Sequence, residues 1–377
     1  MFRDRISKGK LSVLRIAAIA LAIATGYTTV GLAATRPSLQ HPTLKAPHLL
    51  HNSPDNSVPS VSFLQSSLEN SEVTYNLQTP PNLKESEQLQ AIVNEVVEMA
   101  DDKRLPKNPL SITLINVKTG EIAGYSESKE RYPASVVKMF WMAAVYAEIE
   151  AGILNEGALN RYIAKMIKNS DNDAAAVILD KITNTRSSRA RLSKKEFVTW
   201  LNKRQFVNRF FRAAGYWTLN INQKTFPVYD INMPAPRGTD LQMRGNPNAP
   251  IRNKITTEHA ARLLYEICVS GQAVSPSASQ KMSAWLKRDL NSEVWKKQDG
   301  FNPIRGLLGE GLADTDVEFY SKAGWTPGTR NDVAFVRSPD GETAYILAVF
   351  GDSSAYARDG KIFPKMSRLV FDRMSRL

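Results

Sequence analysis

The spacing of apolar and polar residues predicts a helix, a strand hairpin and a buried helix in the first part of the folded chain. Residues 86–100 place apolar side chains at helical intervals on one face. Two runs of strand-forming residues, 111–116 and 121–125, follow and are joined by a turn that contains Gly120. The middle of the segment 133–152 is apolar on nearly every face, which is typical of a helix buried on all sides.

The rest of the chain carries a long helical part, three strands and a last helix. The helical pattern covers roughly 155–290 and is interrupted by a loop-rich stretch at about 214–253. Strand-like runs separated by Gly and Pro turns, and then the final helix, are predicted at 317–322, 332–337, 344–350 and 363–374. We therefore predict an α/β (α+β) fold: one antiparallel sheet of five strands, with the terminal helices on one face and an all-helical lobe inserted between the two halves of the sheet.

The same pattern divides the chain into three parts, 1–34, 35–84 and 85–377. Basic residues crowd the amino terminus, and an apolar stretch of about 19 residues follows over 16–34. This is typical of a cleaved secretory signal or of an uncleaved membrane anchor, and both imply export to the periplasm or the extracellular space. Residues 35–84 are rich in Pro, Ser, Asn, Gln and Thr without periodicity, which predicts a disordered linker. Residues 85–377 are predicted to form the folded domain.

Charge and cysteine content narrow the classes of partner and of chemistry. The chain has a net charge of +12, but we identify no dense basic run interleaved with aromatic residues, so no nucleic-acid partner is expected. A basic surface suits an anionic cell wall or membrane. Cys268 is the single cysteine, and its apolar surroundings predict a structural thiol. The folded part has no set of His, Cys, Asp and Glu at metal-ligand spacing, and no cofactor is expected.

A serine and a lysine at the start of the buried helix are the first candidates for catalysis. Ser135 and Lys138 are three residues apart, so they share one face of a helix. Ser135 falls in the first turn, where free backbone N–H groups stabilise an oxyanion. Lys138 lies among apolar neighbours, and desolvation lowers the pKa of a lysine until it is a base near neutral pH. A chance Ser-x-x-Lys on the surface is the alternative, but the apolar context favours the catalytic interpretation.

The second motif is Ser170-Asp171-Asn172, a polar triplet between two helical patterns. Taken alone, it is most simply an N-cap for the Ala-rich helix that follows. Taken together with the first motif, it predicts a proton relay at Ser170 and a substrate hydrogen-bonding group at Asn172.

The third motif is Lys322-Ala323-Gly324, predicted at the end of a strand. Gly324 allows a ligand to approach the backbone closely, and the N–H of Trp325 would be a second oxyanion donor. An ordinary edge-strand lysine beside a turn glycine is the alternative.

The three motifs, in this order, make the chain resemble the class A serine β-lactamases and the wider penicillin-recognising serine hydrolases. The resemblance extends over about 86–377, and the segment from Lys322 to Val336 is similar to the last active-site hairpin of that family. A histidine-based triad is not favoured, because His259 is the only histidine of the folded part and lies in a helical pattern.

The resemblance implies a role for each site residue. Ser135 attacks the amide carbonyl and forms an acyl-enzyme, Lys138 accepts its proton, and Ser170 passes a proton to the leaving nitrogen. Lys322 supplies positive potential, and Arg330 holds the substrate carboxylate. The substrate-binding set comprises Asn172, Gly324, Trp325, Arg330, Tyr216 and Asn220.

The chain departs from the family in the loop that carries the deacylating Glu of class A enzymes. The nearest match to Glu-x-x-Leu-Asn begins at Tyr216 and ends at Asn220, and no Glu occurs between Glu196 and Glu258. Tyrosine, with a reference pKa of about 10, is a poor base at pH 7. Unless Asp230 or another group takes the place of this Glu, we expect the acyl-enzyme to persist. If this alignment holds, we expect Tyr216→Glu to speed its release.

The sequence thus predicts a β-lactamase-like serine hydrolase that opens β-lactam amides, with slow or altered deacylation. One alternative is a penicillin-binding D-Ala-D-Ala carboxypeptidase-like peptidase that acts on peptidoglycan stem peptides. The other alternative is a binding module that uses the same fold without catalysis.

Overall fold

The computed structural model describes Val73, Tyr75 and residues 80–377, apart from Asp299 and Asp314. The predicted export signal or anchor, 1–34, and most of the predicted linker lie outside the described residues. Within the part of the chain that is described, no helix is both long and apolar enough to cross a bilayer.

One mixed sheet lies at the centre of the described fold, with its strands in the order β1-β3-β2-β7-β6-β5-β4. Neighbouring strands are antiparallel, except that β1 and β3 are parallel. The strands are β1 (Lys84–Glu85), β2 (Leu110–Asn116), β3 (Glu121–Tyr125), β4 (Lys287–Arg288), β5 (Glu318–Thr326), β6 (Thr329–Arg337) and β7 (Ala344–Gly351).

The predicted fold class is confirmed, but the sheet has seven strands in the described residues, not five. The five longer strands are the five that the alternating pattern predicted. The two additional strands, β1 and β4, contain two residues each. Such short pairings carry no periodic signal, because period-2 alternation needs about four residues to be recognised.

The helices form a lobe between β3 and β5 and a pair at the chain ends. In the described residues they are α1 (Glu87–Asp102), α2 (Val137–Glu150), α3 (Glu156–Lys168), α4 (Asn172–Ile182), α5 (Lys194–Arg204), α6 (Phe206–Ala213), α7 (Gly238–Arg244), α8 (Thr257–Cys268), α9 (Pro276–Leu286), α10 (Ser292–Trp295), α11 (Ser354–Arg358) and α12 (Ile362–Met374). Short 3-10 turns lie at Ala134–Val136, directly before α2, and at Leu308–Leu312.

The two faces of the sheet bury two separate cores, because successive side chains of a strand point to opposite faces. One face contributes residues such as Leu114 and Val336 to a core shared with α1 and α12. The other face contributes Val333 and Phe350 to a core shared with α2 and the helical lobe. This arrangement matches the prediction that the terminal helices share one face and the inserted lobe covers the other.

Tyr75 shows that the packed part of the chain begins before residue 85. Its side chain is fully buried, and its hydroxyl donates a hydrogen bond of 2.5 Å to Glu266 Oε2 on α8. Its ring packs edge-on against Phe210 of α6, with the ring centroids 5.5 Å apart. The predicted linker 35–84 therefore includes at least one core residue, and its composition gave no signal of this distant contact.

Candidate active site

The candidate nucleophile lies in the 3-10 turn that leads into α2. Pro133 precedes this turn, and Ala134 adopts a positive φ of 46°. Ser135 is partly exposed, and within the described residues its hydroxyl has no hydrogen-bond partner. The turn therefore presents a hydroxyl that is accessible and is not bound to the surrounding scaffold.

Lys138 lies one turn further along and is fully buried. Its Nζ donates hydrogen bonds to the carbonyl oxygen of Ser170, at 2.5 Å, and to Asn172 Oδ1, at 2.7 Å. Burial lowers the pKa of Lys138 from about 10.5 to about 7, although the nearby charge of Asp171 opposes the shift. A neutral amine has two N–H donors, and both are used here, so its lone pair is left to accept a proton.

The Ser170-Asp171-Asn172 triplet serves as both a cap and a site, with the roles divided among its residues. Asp171 is the N-cap of α4, and its Oδ1 accepts a hydrogen bond of 2.7 Å from Ala174 N. Ser170 adopts a positive φ of 55°, so its carbonyl faces Lys138 while its hydroxyl accepts a hydrogen bond from Lys322. The capping residue thus fixes the triplet and leaves its two neighbours for the site.

Lys322 completes the cluster from β5. Its Nζ donates to Ser170 Oγ at 2.9 Å and to its neighbour's carbonyl, Ala323 O, at 2.7 Å. Burial, together with the positive charges of Lys138 and Arg288, lowers the pKa of Lys322 well below that of an ordinary lysine. The structure brings Ser170, Lys138 and Lys322 together, as the motifs predict, but the motif lies inside β5, not at its end.

Two buried charged groups that the sequence motifs did not reveal, the Asp332 carboxyl and the Arg288 guanidinium, act on the pKa of Lys322 through their charges. Asp332, on β6, is fully buried, and burial raises the pKa of its carboxyl to about 7. Leu308 N donates a hydrogen bond of 3.1 Å to Asp332 Oδ2. The negative charge of Asp332 opposes the lowering of the Lys322 pKa. Arg288 donates to the carbonyls of Ile167 and Ser321.

Gly324 is required where β5 passes the backbone of Ser135. A Cβ atom at this position would lie 2.6 Å from Pro133 O and 2.7 Å from Ser135 N, closer than real Cβ contacts allow. Asn331 pairs with Gly324 across the sheet, and its Nδ2 donates to Tyr132 O at 2.9 Å. Asn331 is a positioning residue that the motifs did not reveal, although its register on the Gly324 face would have indicated it.

Arg330 does not have the role that was predicted for it. It pairs with Trp325 in the β5–β6 register, one position away from Gly324, so its side chain lies on the opposite face of the sheet. Its guanidinium donates to three backbone carbonyls, those of Tyr356, Gly306 and Ala357. These contacts use the donors that a substrate carboxylate would need.

The Trp325 side chain also turns away from the Gly324 face. Its indole Nε1 donates to Ala357 O at 3.0 Å, on the face where Arg330 lies. The ring remains about half exposed, at 47%. A contribution of Trp325 to the site is therefore restricted to its backbone N–H, which is the group proposed as an oxyanion donor.

The assignment of Tyr216 to substrate binding is wrong in this structure. Tyr216 is fully buried, and its hydroxyl donates to Glu266 Oε2 at 2.6 Å. Arg262 lies over its ring at 4.0 Å and donates to the other oxygen of Glu266 at 2.7 Å. Tyr216 thus belongs to the core of the lobe, together with Tyr75.

Asn220 is a scaffold residue of the loop that follows α6. Its backbone exchanges two hydrogen bonds with Lys254, and its Nδ2 donates to Arg252 O at 2.8 Å. Its Oδ1 accepts a hydrogen bond from Asn208. These contacts occupy the side chain that was predicted to bind substrate.

His259 and Cys268 are structural, as their patterns predict. Both lie on α8, and burial lowers the pKa of His259 to about 4 and raises the pKa of the Cys268 thiol to about 12. His259 is therefore neutral at pH 7, and Cys268 is a thiol, not a nucleophilic thiolate.

A central sheet with an inserted helical lobe, together with Ser170, which accepts hydrogen bonds from the buried Lys138 and Lys322, defines a fold of the class A serine β-lactamase type. Residues 155–374, more than half of the chain, match the Beta-lactamase enzyme family, and the chain belongs to this family. The matched range begins after Ser135 and Lys138, so it includes the second and third motifs but not the first. The search of curated protein sequences found no match.

Solved structures share this fold at low sequence identity. A β-lactamase from Sphaerobacter thermophilus is similar with a TM-score of 0.52 and 18% identity, over 76% of this chain and 98% of the other. A β-lactamase from Xanthomonas campestris gives 0.51 and 17%, over 75% and 97%. The last common ancestor of Gram-negative bacteria class A β-lactamase gives 0.51 and 20%, over 75% and 98%. At such identities the likeness shows the fold and does not transfer the activity.

Proposed function

We propose that this chain opens β-lactam amides through an acyl-enzyme on Ser135, and that it releases the product slowly. The observation that supports this most is the environment of Lys138. Its amine is buried and has a pKa of about 7. In the neutral form, its two N–H groups donate to Ser170 O and Asn172 Oδ1. Such an amine can accept the hydroxyl proton of a serine one helical turn away.

The proposed acylation balances its protons within the four central residues. The Ser135 proton moves to Lys138 Nζ as Oγ bonds to the carbonyl carbon, and the backbone N–H groups of Ser135 and Trp325 hold the oxyanion. The carbon–nitrogen bond then breaks. The Ser170 hydroxyl accepts a hydrogen bond from Lys322, so its own hydrogen is free to reach the leaving nitrogen. The Lys138 ammonium then returns a proton to Ser170, so the net result is transfer of the Ser135 proton to the leaving nitrogen.

Slow deacylation is proposed because no suitable carboxylate base is found. The sequence has no Glu between Glu196 and Glu258, and the Asp230 side chain is exposed to solvent. Within the described residues, no carboxylate is hydrogen-bonded to Lys138 or Lys322. The proposal also includes export, which rests on the sequence of residues 1–34 alone.

The test is a time course with a fluorescent penicillin on the purified protein, followed by gel fluorescence and mass spectrometry. The expected result is a stoichiometric adduct at Ser135 that is released slowly, and that is missing in Ser135→Ala. The matched control is Ser126→Ala, a serine before the turn. A protein that forms no adduct at any time would contradict the proposal and favour a binding module.

A second measurement distinguishes the penicillin-binding peptidase. The purified protein is incubated with a stem peptide that ends in D-Ala-D-Ala, and released D-alanine is measured. We expect no release. Release of D-alanine together with an adduct that does not turn over would instead favour the peptidase, which the missing carboxylate base also allows.

A further inference from the structure

A strongly basic segment, residues 186–212, lies in the helical lobe outside the candidate active site. It contains nine Lys and Arg residues and one acidic residue, Glu196. Its net charge of +8 is two thirds of the +12 of the whole chain. The charges are spread over a loop and two helices and do not form a continuous run, so this segment does not stand out in the sequence.

Seven of the nine cations are exposed, and we call this set of residues the basic face. None of them takes part in an ion pair with any described residue, whereas the buried Arg204 is paired with Asp180. A cation without a counter-ion is available to an external anion. The basic face consists of Arg186, Arg189, Arg191, Lys194, Lys195, Lys203 and Arg212.

Specific contacts order the loop that carries the first three arginines. Trp200 of α5 donates its indole N–H to Arg186 O at 2.8 Å. On the other side, Leu192 exchanges two hydrogen bonds with the Gln242 side chain of α7. Because the loop is fixed between two helices, its arginines project from a built surface and do not belong to a flexible tail.

The basic segment is also where the amino-terminal part of the chain meets the lobe. Tyr75 packs against Phe210 and Phe211 of α6, within the segment itself. The chain before Tyr75 leads back to the apolar stretch 16–34, whose pattern predicts a membrane-directed signal or anchor. Tyr75, the residue that leads back along the chain toward this stretch, therefore packs against α6, the helix that also carries Arg212.

We propose that the basic face binds the anionic phospholipid headgroups of a membrane. Guanidinium and ammonium groups pair well with phosphate, and an anionic bilayer attracts each of them additively. Val198 is 60% exposed among the lysines of α5, which suits insertion of an apolar side chain between headgroups. This inference does not depend on the proposed hydrolase activity.

The basic face lies along α4, whose first turn carries part of the candidate site. Ser170 and Asn172 lie at the amino-terminal end of α4, and the basic segment follows its carboxyl-terminal end. Eleven helical residues span about 16 Å. Arg189 of the basic face donates to Ile231 O, and the neighbouring Asp230 N donates to Asp173 Oδ1 in the first turn of α4. The basic face therefore extends along α4 toward the candidate site.

The test is flotation of the full chain with vesicles at about 0.1 M salt. Partitioning onto vesicles of phosphatidylcholine alone measures any insertion of residues 16–34. The additional partitioning onto vesicles that also contain phosphatidylglycerol measures the charge-dependent binding. The variant Lys194→Gln/Lys195→Gln/Lys203→Gln should reduce the added partitioning about 100-fold, since each lysine contributes about fivefold. The matched control, Lys103→Gln/Lys361→Gln/Lys365→Gln, removes three exposed lysines elsewhere and should leave it unchanged.

Two results would overturn the proposal. One is equal loss of phosphatidylglycerol-dependent partitioning in both triple variants, which would mean that net charge acts without a specific face. The other is tighter binding of the wild-type chain to a double-stranded DNA oligonucleotide than to phosphatidylglycerol vesicles at the same salt. That result, with loss in the α5 variant, would assign the face to nucleic acid and not to a membrane.

Discussion

At the scale of single residues, burial of the Lys138 amine is what would allow the candidate site to carry out the proposed acylation of Ser135. A lysine in water is charged at pH 7, and a charged amine cannot accept a proton. Burial lowers the Lys138 pKa to about 7, and the acceptors at Ser170 and Asn172 orient the two N–H bonds. The residue is therefore partly neutral at physiological pH, without the aid of a histidine.

The rate of acylation should follow the titration of Lys138. Because the neutral amine is the base, the rate of penicillin adduct formation should rise with pH through about 7 and level off above it. Lys138→Ala should lower the rate by about 10²- to 10⁴-fold. The control Lys181→Ala, an exposed lysine on α4, should stay within about twofold. A flat profile between pH 5.5 and 8.5 would contradict the assignment of Lys138 as base.

A single methyl group at Gly324 should disable the site. Gly324→Ala would place Cβ against Pro133 O and Ser135 N, so the turn that carries the nucleophile must shift. A displacement of about 1 Å costs about 100-fold in rate, which we expect for adduct formation by stopped-flow fluorescence. Gly360→Ala, where a Cβ meets nothing within 4 Å, is the control and should acylate normally. Equal rates for both variants would argue against the close approach.

At the scale of secondary-structure elements, the lobe is held together by a carboxylate that three side chains share. Glu266 of α8 accepts hydrogen bonds from Tyr75, Tyr216 and Arg262. Burial raises the Glu266 pKa, and the three partners lower it. The network joins α8, the loop that follows α6 and the residues before β1, so its disruption should loosen the lobe without touching Ser135.

Tyr216→Glu should therefore destabilise the protein, contrary to the expectation from the sequence. A second buried carboxylate beside Glu266 should cost about 3 kcal/mol or more in the free energy of unfolding, measured with urea. Tyr216→Phe removes one hydrogen bond and should cost only about 1–3 kcal/mol. The lifetime of the penicillin adduct should not shorten in either variant. Faster release in Tyr216→Glu with little loss of stability would restore the original alignment.

The contrast between Tyr216 and the three motifs indicates what a sequence can predict. The contacts of Lys138 and Lys322 with Ser170 could be predicted because the motifs depend on short spacing and on local apolar context. Arg330 was assigned wrongly because its role depends on which face of β6 it occupies, and a shift of one position in register reverses the face. Tyr216 and Tyr75 were misjudged because their partner, Glu266, lies 50 and 191 residues away in the chain.

At the scale of the whole molecule, one buried acid should set part of the pH dependence of stability. Glu148 on α2 is 7% exposed, and burial raises its pKa to about 8. Its pKa in the folded state is thus higher than in the unfolded state, so the folded state binds the proton more tightly. The free energy of unfolding should fall as pH rises from about 4.5 to about 8, and this contribution should stay constant above that range.

Glu148→Gln should remove this pH-dependent loss in the free energy of unfolding. The variant keeps the shape of the protonated acid, so it should match the wild type near pH 5 and exceed its stability by a few kcal/mol at pH 9. Urea unfolding at both pH values measures the difference. The control Glu98→Gln, at an exposed position of α1, should show no such pH-dependent gain. The same gain in both variants would mean that a surface charge effect, and not burial of Glu148, is responsible.

The buried position of Tyr75 has a practical consequence for anyone who shortens the chain. A truncated protein that starts at residue 80 would lack the Tyr75 side chain. This would leave a cavity beside Phe210 and Phe211 and would remove one hydrogen-bond donor from Glu266. Such a shortened body should aggregate or express poorly, and a synthetic peptide that spans residues 70–80, supplied in trans, should restore it. A minimal fragment should therefore begin before Tyr75, and not at Lys84, where the first strand begins.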